Sequence, residues 1–184
     1  MKSFTWVGGR PSVNFTATLG KRLQDPFERI PGPAELARWF REAGLSDELL
    51  DVTPRTHKQA VELREALYRL FTRTAVDQVD VDLVNRWSTR PLAGPSLTRD
   101  LALARPRTDV NGLLTLLARD AVELVTGPLR DRIHTCSAED CSLLFVDESR
   151  AGRRRWCSMN TCGARAKMSH YRDGLRSSVN SGRG

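Results

Sequence analysis

Every cysteine of this 184-residue chain lies between positions 136 and 162. They form two pairs, Cys136/Cys141 and Cys157/Cys162, each enclosing four residues, with fifteen residues between the pairs. A tetrahedral metal needs four ligands at about 2.3 Å when they are thiolates, and two close pairs on separate turns supply them with little loss of chain entropy. The first reading is therefore one structural Zn2+ held by Cys136, Cys141, Cys157 and Cys162. The internal spacing sits at the wide edge of the usual two to four residues. Three other readings stand beside it. A disulfide framework needs an oxidising compartment, and no charged-then-apolar leader opens the sequence. An iron–sulfur cluster often draws on three closely grouped cysteines, which are absent here. The fourth is a set of free, buried thiols. With four thiolates filling the shell, zinc would hold a fold together rather than activate water.

Charge adds a second constraint through its placement. The net charge is +7, yet residues 149–184 hold nine Lys or Arg against one acidic residue, Asp173, so the preceding 148 residues are within one charge of neutral. A basic segment overlapping the second cysteine pair implies a polyanion, most often nucleic acid. A solvated basic tail without a partner is the bland alternative. No apolar run reaches 18 residues, and a cytoplasmic address with reduced thiols is expected.

Along the chain the pattern is mainly helical. Residues 1–30 are the least periodic, with Phe4, Trp6, Val13 and Phe15 as apolar anchors and turns at Gly8-Gly9 and Gly20. Asn14, Thr16 and Thr18 either line a small polar pocket or are hydrogen-bonded within packed structure. Pro33, Glu35, Leu36, Trp39 and Phe40 predict a helix ending at Gly44, and Ser46 is expected to cap a short helix to Leu50. The longest helix is predicted from near Thr56 to near Val79, with Arg64 at the edge of its apolar stripe and His57 on the surface. Val81, Val84 and Trp87 continue helically, a β-hairpin or long ordered loop follows between Thr89 and Thr108, and Asp109 caps an apolar helix that Gly127-Pro128 ends. Beyond it, a short strand around Leu143 and Phe145 is predicted to pair with one near Arg155 and Trp156 across Ala151-Gly152. Cys162 would begin a last helix whose Ala164, Met168, Tyr171 and Leu175 face inward. The expected fold is a helical domain over 1–127, a small zinc-bound ββα-like module over 128–177, and a disordered tail from 178.

Leu144-Phe145-Val146-Asp147, Arg153-Arg154-Arg155-Trp156-Cys157-Ser158 and Cys162-Gly163-Ala164-Arg165-Ala166-Lys167 together resemble the C-terminal zinc finger of the CGNR family. The residues between the cysteines agree as well as the cysteines. Ala164 departs from the pattern, standing where the name-giving motif has Asn. Upstream, Val13-Asn14-Phe15-Thr16, Ala43-Gly44-Leu45 and Leu63-Arg64-Glu65-Ala66-Leu67 are similar to the helical stress-induced transcription regulator domain usually joined to this finger. The resemblance covers nearly the whole chain and implies a regulator that binds double-stranded DNA. On that reading Arg165, Lys167, Arg172 and Arg176 reach the duplex from the last helix, while Arg153, Arg154 and Arg155 hold phosphates. The helical domain is expected to sense a small-molecule ligand, dimerise or contact another protein. The alternative is an adaptor whose basic face takes an acidic protein or RNA.

No catalytic set emerges. His57, His134 and His170 are widely separated, and no phosphate-cradling glycine loop is present. His134 lies two residues before Cys136, but four thiolates already complete a zinc shell. The chain is accordingly not expected to be an enzyme.

Overall fold

The computed structural model describes residues 3–92, 94, 96–104, 108–169 and 171–172. Leu175, Arg176, His170 and the expected tail lie outside them. About half of the chain is helical, with small antiparallel hairpins between and after the helices.

The first element, α1 (Pro11–Thr16), falls in the stretch that showed no periodicity, because six residues are too few to display one. Pro11 at its first position has φ already set for a helix. It has no side-chain cap of its own, and Asp120 supplies one from a distance, accepting from the Ser12 N–H at 2.9 Å while pairing with Arg10 at 2.8 Å. A two-residue hairpin follows, β1 (Leu19–Gly20) with β2 (Phe27–Glu28). Then α2 (Pro33–Glu42) ends on Gly44 at φ +68°, where the N–H groups of Gly44 and Leu45 return to the carbonyls of Arg41 and Phe40.

Two helix boundaries differ from expectation. Ser46 starts no helix; its hydroxyl donates to the Glu48 carbonyl at 2.8 Å, closing a local turn that competes with helical bonding. The long helix is two helices. α3 (Pro54–Thr72), capped by Thr53, stops where Arg73 turns left-handed at φ 55°, and α4 (Gln78–Ser88) begins anew on Asp77. An apolar stripe of period 3.6 does not distinguish one helix from two that fold back on each other, and here Asp80 of α4 takes both arms of Arg69 of α3 at 2.6 and 2.7 Å. After a β3 (Ser96–Leu97) and β4 (Leu103–Ala104) hairpin, α5 (Val110–Thr126) starts on Asp109, whose carboxylate accepts from the Gly112 N–H at 2.8 Å.

The core lies where α1, α2, α3 and α5 meet: Phe15, Leu36, Trp39, Phe40, Leu63, Leu67, Leu113, Leu114 and Leu117 are all but inaccessible. Trp39 is a packing residue, its ring 4.9 Å from Phe15 and 5.4 Å from Phe40. Asn14 holds the Gly8 N–H at 2.8 Å, Thr16 and Thr18 donate to Val13 and Phe15 carbonyls, and Thr18 also accepts from Arg64, so this trio is hydrogen-bonded within packed structure. His57 is half-buried against the Ile30 carbonyl at 2.8 Å, not a free surface group. Arg64, expected at a stripe edge, is 3% exposed and reaches Glu28, Glu65 and Thr18.

Candidate metal centre

The centre is built on β5 (Ile133–Thr135) and β6 (Leu144–Val146), which pair antiparallel with Ile133 opposite Val146 and Thr135 opposite Leu144. β6 is thus partnered by β5, not by residues near Arg155 and Trp156 as expected. Its uninterrupted apolar sequence explains the arrangement, because a strand covered on both faces needs no polar alternation. Leu144 and Val146 enter the core of the helical domain, while Phe145 packs with the cysteines on the other face. Two further bonds tie the module to the helical part: Val146 N–H to Gly8 O at 2.9 Å, and Arg22 N–H to Ser142 Oγ at 2.9 Å.

Cys136 leaves the end of β5 with its N–H on Leu143 O, and Cys141 closes a tight turn onto Ala138 O, both at 2.9 Å. The chain returns to them through Asp147. That carboxylate is fully buried and accepts from the Ser149 and Arg154 N–H groups at 2.9 Å each; the Ser149 hydroxyl first, and these N–H groups with it, hold it down to about 2. Asp147 therefore meets the arginine run through its backbone. Arg132 donates to the carbonyls of Asp147 and Ser149 and lies against Gly152, whose φ of +59° and 3.0 Å clearance to that guanidinium suit a residue without Cβ. Ser137 N–H then bonds Arg155 O at 2.9 Å and sets the second cysteine pair over the first.

Cys162 does not begin an ordinary helix. It sits in one π turn, Met159–Gly163, in which Gly163 N–H reaches back five residues to Ser158 O at 3.0 Å. A Cβ on Gly163 would stand 3.1 Å from Trp156 and 3.2 Å from the Met159 sulfur, so the closeness of this turn to Trp156 favours glycine. Residues 164–169 continue as α-helix, and 171–172 are helical as well.

The four Sγ atoms lie within 4.8 Å of one another, with Cys141–Cys157 at 3.8 Å and Cys157–Cys162 at 3.6 Å. A tetrahedron with ligands about 2.3 Å from its centre has edges of about 3.8 Å, so the quartet fits one zinc. Its surroundings suit the net negative charge that four thiolates give zinc. Cys157 N–H points to Cys136 Sγ at 3.3 Å, and the Arg165 guanidinium donates to Cys162 Sγ at 3.2 Å while also pairing with Asp140. Cys141 is held down to about 5, chiefly by a hydrogen bond from the Cys157 thiol, which is itself pushed up by that same bond and by burial. This is a set of thiols sharing protons, ready to exchange them for a cation. His134 stays outside the quartet, beside the Phe145 ring at 5.9 Å.

Residues 9–128 match the model of the ABATE family, described as "Putative stress-induced transcription regulator". The chain belongs to this family. Residues 132–173 match the CGNR zinc finger, so the ABATE part carries a structural zinc module at its C-terminal side. No curated protein matches the chain at significant similarity.

The structure divides the basic residues expected at nucleic acid. Arg153, Arg155, Lys167 and Arg172 are exposed. Arg165 is exposed but tied to Asp140 and Cys162. Arg154 is a correction: its guanidinium turns inward over the Phe145 ring at 4.4 Å and donates to the carbonyls of Trp156, at 2.9 Å, and Cys157. It braces the metal loop and is not displayed to a phosphate. The expected inward stripe of the last helix is a second correction. Ala164 is exposed, as are Met168 at 58% and Tyr171 at 65%, and the half-buried residue is Ala166, because the π turn rotates the helix by an extra residue relative to the module. Sequence reasoning missed Arg132 and Asp140, whereas a contact between Asp147 and the arginine run was expected and is made through the Arg154 N–H. The partners of Arg132 and Asp140 are loop carbonyls and side chains brought together only by folding, and no periodicity marks them.

Proposed function

We propose that this ABATE protein is a DNA-binding transcription regulator in which the zinc centre fixes a cationic surface. The observation that carries the reading is the gathering of Arg155, Arg165 and Arg172, from two separate segments, along one groove of about 550 Å³ between the C-terminal helix and the 137–140 loop, whose Glu139 and Asp140 also line it, Asp140 paired with Arg165. Arg153 and Lys167 add exposed charge nearby. Arginines on a rigid support meet phosphates bidentately, and phosphate contacts position a protein on a duplex before any base is read. Four thiolates leave zinc no open position, so the proposal assigns the centre a structural and not a catalytic role. The helical domain is proposed to receive the signal, as a ligand, a second copy or a protein partner. No helix among the described residues is long and apolar enough to cross a membrane.

The test is binding of the zinc-loaded chain to random duplex DNA across a salt series, beside Cys157→Ser and a quadruple Arg153, Arg155, Lys167 and Arg172 to Gln variant. Arg154 and Arg165 are left intact because they hold the metal loop. The expected result is zinc-dependent binding whose log–log salt slope falls by about three to four in the quadruple variant, near 0.9 for each phosphate that the protein no longer neutralises. An unchanged slope would remove the phosphate role, and capture of RNA or an acidic protein in place of duplex would favour the adaptor.

A further inference from the structure

The C-terminal helix displays an apolar strip that nothing in the described fold covers. At about 100° per residue, Tyr171, Ala164 and Met168 fall within an arc of about 60°. Lys167 lies about 40° beyond that arc on one side, and Arg172 and Arg165 lie about 40° to 60° beyond it on the other. Ala166, the half-buried position, is on the opposite face, in agreement with the exposure of the other six. Soluble helices normally bury such a strip; this one is exposed with cations along both edges.

That arrangement matches one surface closely. The major groove of B-DNA admits an α-helix, with phosphates along both walls and base edges on its floor. Lys167 on one edge and Arg172 on the other would face the walls, Arg165 being held by Asp140 and Cys162, and the strip itself would face the floor. The chemistry there distinguishes bases: Asn pairs bidentately with adenine, whereas alanine and other apolar groups contact the C5-methyl of thymine. The CGNR finger takes its name from Asn at the position that Ala164 fills. Ala164 has no hydrogen-bonding group, and Met168 one turn along is equally apolar.

We infer that Ala164 and Met168 are specificity-determining residues that select thymine methyl groups in the major groove, with Tyr171 completing the strip. The inference rests on the DNA-binding reading above. It also makes position 164 a point at which the base preference of this chain departs from a finger that carries Asn.

The experiment uses the full-length, zinc-loaded chain. Duplexes enriched from a random pool are remade with each thymine replaced singly by deoxyuridine, which removes only the methyl group, and the selection is repeated with Ala164→Asn at equal zinc content. Expected are thymines within the motif, a loss of about fourfold in affinity at one or two of the deoxyuridine positions, and a change from thymine to adenine at one position for Ala164→Asn. A motif indifferent to every deoxyuridine overturns methyl recognition while leaving DNA binding intact. Methyl sensitivity with an unchanged Ala164→Asn motif supports Met168 and overturns the part assigned to Ala164. Absence of duplex binding altogether, or binding of the same helix to anionic vesicles or an acidic protein in its place, overturns both this inference and the reading beneath it.

Discussion

Removing zinc is expected to weaken the helical domain as well as the module that holds the metal. β6 is shared: Leu144 and Val146 belong to the helical core, and Phe145 belongs to the cysteine cluster. A structural zinc contributes about 10–16 kcal/mol to folding a small site at neutral pH, which exceeds what so small a hydrophobic cluster supplies alone. Without it, β6 has little to hold its register. Each of Leu144 and Val146 is worth about 1.5–3 kcal/mol buried, and the bonds Val146 to Gly8 and Arg22 to Ser142 add about 1 kcal/mol each. Partial collapse of the freed strand recovers some of this, so a loss of about 5 kcal/mol is expected, against a total stability of order 5–15 kcal/mol. For a chain of this size it corresponds to a fall in Tm of roughly 10–20 °C. The assay is calorimetry with and without a chelator, paired with fluorescence of a Trp156→Phe variant, in which Trp6, Trp39 and Trp87 report on the helical part alone. Two transitions, the upper one indifferent to chelator, would refute the reasoning and show that β6 contributes nothing to the helical core.

Two other outcomes follow from single arginine side chains. Arg165→Ala should weaken zinc binding about tenfold in competition with a chromogenic chelator, since it removes the guanidinium from Cys162 Sγ, and Arg165→Lys should recover only part of that. Asp80→Asn, which uncouples Arg69, should lower stability at pH 7 by about 1–2 kcal/mol, limited by the 41% exposure of Arg69. Hydrogen bonds from Arg69 hold Asp80 below its usual 3.8, so the pair stabilises the fold above that pH and the stabilisation is lost as pH falls through the folded value. Wild type and Asp80→Asn, compared by urea unfolding in the presence of chelator so that neither holds zinc, should therefore begin to converge only as pH falls below 3.8 and meet once it is below the folded value. A difference that does not shrink at all as pH falls below 3.8 would mean the carboxylate's charge is not what matters.

The cysteine spacing made a structural zinc the first reading beside disulfides, a cluster or free thiols, and the interleaved residues carried the family; the gathering of the four Sγ atoms within 4.8 Å is what fits one zinc. The cap at Asp109 and the stop at Gly44 were equally local, each decided by one residue against its own first or last turn, whereas the break between α3 and α4 and its cap Asp77 came only with the structure. What tertiary structure alone decided were the facing directions. Leu144-Phe145-Val146 reads as apolar in any strand, but only the fold shows it to be wedged between two cores with β5 as its partner. Arg153, Arg154 and Arg155 are identical in sequence, yet the middle one is turned inward because Asp147 fixes its backbone N–H and the Phe145 face takes its guanidinium. The last helix has the periodicity of a buried stripe, and the five-residue turn at Cys162 rotates that stripe outward. Periodicity gives the angle between residues on a helix; the angle of the helix to its support depends on contacts distant in sequence.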